Sequence, residues 1–137
     1  MKKYLEAVAK FQKAFGQNIS DQPCLVSKEK AQLRYDLGKE ELDEYLQAVK
    51  DNDLVEICDS LSDQLYILLG TILEHGMQHI IEDCFNEVQS SNMSKLDNQG
   101  NPIINGENGV WDETRAKGKV LKSNNFKEPN LKQFLDV

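Results

Sequence analysis

The chain has 137 residues, 39% of them hydrophobic and 28% charged, and carries a net charge of −7. That length suits one domain with one core rather than two, and the acidic balance excludes non-specific nucleic-acid binding, which needs a basic surface. No run of about 18 uncharged apolar residues exists to cross a membrane, and Cys24, Cys58 and Cys84 form no CxxC pair, which argues against a zinc knuckle or a disulfide framework.

Met1-Lys2-Lys3 resembles the start of a signal peptide, but Glu6, Lys10, Gln12 and Lys13 interrupt any apolar segment behind it, so the expectation is a cytoplasmic protein. Residues 2–15 read as an amphipathic helix, with Leu5, Val8, Ala9, Phe11 and Phe15 inward and Gly16 as its stop. Residues 17–27 are a loop, marked by Asn18, Ser20, Asp21 and Pro23. A second helix runs from about Ser27, its expected N-cap, to Lys50. Gly38 inside it marks either a close approach or a kink.

Asp51-Asn52-Asp53 is a tight break. The third helix then runs to about His75, with Gly76 ending it. Leucines and isoleucines surround most of its circumference, which predicts a central, buried helix. A fourth helix spans about Met77 to Ser90, with Ile80, Ile81, Cys84, Phe85 and Val88 inward. Cys58 and Cys84 read as small core residues. Residues 91–130 are rich in Asn and Gly, with a turn signal at Asp97–Gly100. They predict an ordered, irregular tail with a short hairpin and a helical turn at Leu131–Leu135. Trp111 and Phe126 are expected to anchor that tail through apolar contact.

Glu40, Glu41 and Glu44 form an EExxE pattern on the second helix, and Glu56, Asp59 and Asp63 form ExxDxxxD on the third. Residues three and four apart share a helix face. Helices joined by a short loop pack antiparallel, so Glu44 falls level with about residue 58, and Glu40 and Glu41 fall level with about 61–62. Six carboxylates at one height, with no Lys or Arg at the stripe positions, repel one another until their pKa values rise or a cation neutralises them. Asp59 and Asp63, set among Leu and Ile, read as poorly solvated. All-oxygen ligands suit Mg²⁺, with Mn²⁺ as a substitute, better than zinc or copper. A di-iron bundle needs Glu-x-x-His motifs, absent here, and His75 and His79 lie far along the helix from Asp59.

These motifs resemble the MazG-like all-alpha NTP pyrophosphatase superfamily, which includes phosphoribosyl-ATP pyrophosphohydrolases and helical dUTPases. The similarity extends to Phe11–Gly16, Pro23, Leu33-Arg34, Glu40–Ala48 and Asp53–Gly70. It continues in the tail through Ser91-Asn92-Met93-Ser94-Lys95, Leu96-Asp97, Gly118–Lys122 and Pro129. Ser123 departs from the pattern, standing where glycine is expected.

The resemblance implies an all-α fold: a four-helix MazG-like unit over about residues 2–90 with an irregular substrate-side tail over about 91–137, all one domain. It also implies association into a homodimer or homotetramer. It further implies Mg²⁺-dependent hydrolysis of a nucleoside triphosphate to the monophosphate and pyrophosphate, with dUTP or another pyrimidine deoxynucleotide as the preferred substrate. By position, Glu41, Glu44, Glu56 and Asp59 match the metal ligands. Glu40 fits a further ligand or the group orienting the attacking water, so Glu40 and Glu41 are the catalytic candidates. Asp63 is a further metal or second-layer candidate, and Asn92, Lys95, Lys119 and Lys122 are candidate substrate contacts. No nucleic acid or membrane is expected as partner. The competing expectation is a non-enzymatic nucleotide- or metal-binding helical dimer that regulates a partner.

Overall fold

Four helices form where the apolar spacing predicts them: α1 (Lys2–Ala14), α2 (Lys28–Asp51), α3 (Leu54–Glu74) and α4 (Ile81–Met93). The computed structural model covers residues 1–137 and separates into two compact units, residues 1–81 and 82–137.

In the first unit, side chains and backbone turns set the helix ends. Ser27 caps α2, its hydroxyl accepting from the Lys30 N–H at 3.1 Å. Asn52 takes a left-handed conformation with φ 54° and closes α2, and Asp53 opens α3 by accepting from the N–H groups of Val55 and Glu56. Each such N-cap is worth about 1 kcal/mol. Together they reverse the chain in two residues, which makes α2 and α3 an antiparallel pair. The space around Gly38 is open, so no neighbouring backbone approaches α2 there.

The core of this unit is small and lies at the far end of that pair. Leu5 and Val8 of α1 pack on Leu69, Ile72 and Leu73 of α3, with Ala9, Ile19, Met77 and Ile81 at the margin. The expectation that α3 is buried all round is corrected. Leu54 and Val55 are 77% and 75% exposed, and Leu61, Leu65 and Leu68 are about half exposed. The physical reason is that α1 and α2 cover only part of its circumference. An apolar surface all round a helix says that something covers it, not that its own chain does. Phe11 and Phe15 are likewise exposed rather than core, stacked on each other at 4.4 Å with Tyr66 edge-on to Phe11. Cys58 is exposed as well.

α4, most of which lies in the second unit, starts four residues and ends three residues later than expected, because Met77–Ile80 form a turn. Phe85, expected inward, is 60% exposed. The turn at Asp97–Gly100 forms, its carboxylate accepting from the Gln99 and Asn101 N–H groups. The strand that follows, β1 (Ile103–Ile104), pairs antiparallel with β2 (Val120–Leu121), with Ile103 opposite Leu121 and Ile104 opposite Val120. A 3-10 turn at Leu131–Phe134 follows, as predicted. Ser123 earns its departure from glycine: its hydroxyl donates to the Leu96 carbonyl at 2.7 Å. Trp111 does not anchor the tail by burial; it is 63% exposed with its ring edge near Gly106.

The loop between the strands closes around one side chain. Asn105 is fully buried, donates to the carbonyls of Asp112, Arg115 and Ala116, and accepts from the Asp112 N–H at 2.7 Å. Asn105→Ala strands these backbone groups and is expected to cost about 3 kcal/mol locally. Hydrogen exchange checks this: amide protection at Asp112 and Gly118 is lost in the variant, and unchanged protection would contradict the assignment.

Candidate active site

The antiparallel pairing of α2 and α3 brings the two acidic stripes together as their spacing requires. The Gln64 side chain of α3 reaches the Glu41 carbonyl of α2 at 3.5 Å, which places Glu41 level with Asp63. Glu41 is the focus of the arrangement. It is half-buried, and its Oε2 has no hydrogen-bond partner. Burial pushes its carboxyl above the usual glutamate range, and the charges of Glu44, Asp63, Glu40 and Asp59 push it further.

The members differ in setting. Glu40 and Glu44 line an open depression along α2 with Asp36, Lys39, Asp43 and Gln47. Lys39 there is paired with Asp43 at 2.6 Å, and that pair lifts the Lys39 ammonium above its ordinary range. Asp59 and Asp63 are exposed, which corrects the expectation that their helix shields them from water. Glu56 is exposed and is not among the charges acting on Glu41.

As placed, no three His, Cys, Asp or Glu side chains stand close enough to hold an ion together. Coulomb repulsion reaches several ångströms further than a coordination bond, so both observations hold at once: the charges converge and the oxygens do not yet touch one point. The donor chemistry fits a hard divalent cation, since all donors are carboxylate oxygens and the buried Glu41 oxygen is unpartnered.

Behind this cluster sits a group that sequence spacing did not reveal. Arg34 lies two turns before Glu41 on α2 and crosses to α3. Its Nε donates to the Thr71 hydroxyl at 3.0 Å and its Nη2 to the Ile67 carbonyl. Burial pulls its guanidinium below the ordinary value, partly offset by Glu74. Gly70 makes room, since a Cβ there would lie 2.6 Å from Arg34 Nη2. Arg34 thus clamps α2 to α3 and holds the register on which the acidic stripes depend. Asp36 and Asp43 were also missed; their four-residue spacing from Glu40 and from Lys39 was the available signal.

In the second unit, Lys95 donates to the Asn92 side chain at 2.8 Å, and Lys122 pairs with Glu128 at 3.2 Å while its ammonium lies 4.2 Å from the Phe126 ring centroid. Lys119 is exposed. His75 is engaged with the Cys24 carbonyl at 2.8 Å.

A comparison with curated proteins finds no match. The sequence pattern described as phosphoribosyl-ATP pyrophosphohydrolase matches residues 8–92, more than half of the chain, and spans both acidic stripes. The fold is mostly helical, with four helices and a small two-stranded tail, as in the all-α MazG-like fold, and no helix is long and apolar enough to cross a membrane. The chain belongs to the phosphoribosyl-ATP pyrophosphohydrolase family, MazG-like all-α hydrolases that act as pyrophosphohydrolases on nucleotide-like substrates.

Proposed function

We propose that the protein is a Mg²⁺-dependent nucleoside-triphosphate pyrophosphohydrolase that releases the monophosphate and pyrophosphate, with a pyrimidine deoxynucleotide such as dUTP as substrate. The observation that carries this reading is the convergence of Glu40, Glu44, Asp59 and Asp63 on a half-buried Glu41 whose Oε2 has no partner. When bound, Mg²⁺ would supply Lewis acidity at the phosphates and an activated water. Glu41, Glu44, Glu56 and Asp59 would hold the metal, with Asp63 behind them, and Glu40 would orient the attacking water toward the α-phosphorus.

Positive charge for the substrate is assigned to Lys95, Lys119 and Lys122, with Asn92 as a hydrogen-bonding partner. Lys95 and Lys122 already have exposed polar partners, and exchanging such partners costs little. The active form is proposed to be a homodimer or homotetramer. What supports this is the apolar surface on α2 and α3, where Leu42, Leu46, Leu61 and Leu68 are each at least half exposed.

The test is turnover of a mixed pool of ribo- and deoxynucleoside triphosphates with Mg²⁺, resolved by chromatography. The expected result is one monophosphate with pyrophosphate. Diphosphate with orthophosphate would refute attack at the α-phosphorus. No turnover with Mg²⁺ or Mn²⁺ would favour a nucleotide-binding protein without catalysis.

A further inference from the structure

Few polar links join α2 to α3. Arg34 donates to the Thr71 hydroxyl at 3.0 Å and to the Ile67 carbonyl, and Gln64 reaches the Glu41 carbonyl at 3.5 Å. One ion pair adds to them, Lys30 to Glu74 Oε1 at 3.2 Å. The register of the acidic stripes thus depends heavily on the Arg34 guanidinium, whose placement has an energetic difficulty. It occupies the space that Gly70 leaves, where a Cβ would lie 2.6 Å from Nη2, and burial penalises its charge. A cation drawn out of water needs a counter-charge to stay there, and neither Thr71 nor the Ile67 carbonyl carries one.

Glu74 supplies it. Its side chain is 1% exposed and continues the stripe of α3 that carries both acceptors, three residues beyond Thr71 and seven beyond Ile67. Neither carboxylate oxygen accepts a hydrogen bond, so no local donor disperses the charge, and its field acts through a sealed interior where water does not screen it. It is the charge of Glu74 that opposes the effect of burial on Arg34. One buried carboxylate of α3 thus faces two cations of α2, Lys30 and Arg34, which stand one turn apart.

The same arrangement leaves the acidic cluster uncompensated. Arg34 stands seven residues before Glu41 on one face of α2, roughly 10 Å along the helix. The charges acting on Glu41 are nevertheless those of Glu44, Asp63, Glu40 and Asp59, and Arg34 is not among them. We infer that Glu74 is a positioning residue for the cation site: it holds the Arg34 guanidinium on α3 and, through that clamp, sets the height at which the glutamates of α2 meet the aspartates of α3. The inference rests on the acidic cluster being the cation site, as proposed above. Glu74 itself touches neither the cation nor the substrate, since it follows Asp63 by 11 residues, roughly 16 Å along α3.

The experiment is titration of the full chain with Mn²⁺ without nucleotide, the free ion being followed by electron paramagnetic resonance. Glu74→Gln keeps the side-chain shape and removes the charge; it should weaken Mn²⁺ binding about tenfold, and Arg34→Met should do the same. Added to Arg34→Met, Glu74→Gln should change nothing further, whereas added to Lys30→Met it should keep its full effect. NMR of the metal-free protein should show the Arg34 Nε–H losing its protection from solvent exchange in Glu74→Gln. Circular dichroism confirms that each variant is folded. If Glu74→Gln alone does not fold, the double variant with Arg34→Met, which removes both charges, takes its place and should bind Mn²⁺ as Arg34→Met does. Wild-type affinity in Glu74→Gln, or a further loss when it is added to Arg34→Met, would overturn the inference. A wild type that binds no Mn²⁺ would sink the cation-site reading and this inference with it, so the wild-type titration tells the two failures apart.

Discussion

Glu41→Gln is expected to reduce turnover by roughly 10²-fold or more while making the metal-free protein more stable at neutral pH. Both effects have one cause. The Glu41 carboxyl is raised above its ordinary value by burial first and then by Glu44, Asp63, Glu40 and Asp59. A raised carboxyl takes up a proton on folding, so the folded state pays a penalty whenever that group is ionised. Below the ordinary glutamate value Glu41 is protonated in both states and the penalty is absent. It grows as pH rises from that value to the raised one and is fully present above it.

Wild-type stability without metal should therefore fall as pH rises through this window, and Glu41→Gln should remove its share of the fall. The advantage of the variant should be present at pH 7 and vanish in acid. Thermal melts across pH with a chelator measure it. Adding Mg²⁺ should reverse the order, because a ligand that binds only the folded state stabilises the protein that holds it. If Glu41→Gln melts lower than wild type at pH 7 without metal, the carboxylate has a structural partner, and the cation-site interpretation loses its main support.

Gly76→Ala is expected to be the most damaging single methyl in the first unit. Gly76 ends α3 with φ 66°, where a side chain is strained by about 1–2 kcal/mol before any contact is counted. A Cβ there would also lie 2.0 Å from the Gln22 carbonyl oxygen and 2.5 Å from its carbon, which are backbone atoms and do not rotate away. The loop cannot retreat cheaply, because it is stitched to the end of α3. Ser20 N–H donates to the Leu73 carbonyl, Cys24 N–H to His75, the Ser20 hydroxyl to Glu74, and Gln78 to the Ser20 carbonyl. The expected cost is at least about 3 kcal/mol, which corresponds to a fall in Tm of roughly 10 °C. The cavity that Asn18, Ser20 and Cys24 line with Glu74 should be lost with it, since those three residues belong to that loop. An unchanged Tm would place the 17–27 loop elsewhere.

Much of the helical framework was legible from local signals. Ser27, Asn52-Asp53 and Gly76 act within one turn of the backbone they terminate, so their identity alone sets helix ends to within about a residue. The two-residue reversal at Asn52-Asp53 then determines which residues of α2 and α3 stand level, and the meeting of Glu41 with Asp59 and Asp63 follows from counting. The tail's turn at Asp97–Gly100 was legible for the same reason. The partner of β1 was not, because Ile103 meets Leu121 across a loop whose closure depends on Asn105 finding four backbone groups at once.

The tertiary structure alone decided burial, which depends on what covers a surface. Leu54, Leu61 and Phe85 look like core by composition yet lie exposed, while Glu74 looks like a solvated glutamate yet is sealed. Sequence by itself determined the helices, their reversal and the acidic register, because those rest on interactions spanning a few residues. The Arg34 clamp beside Gly70 and the Lys30–Glu74 ion pair join residues 33 to 44 positions apart, and only the packed chain brings their atoms within hydrogen-bond or ion-pair reach.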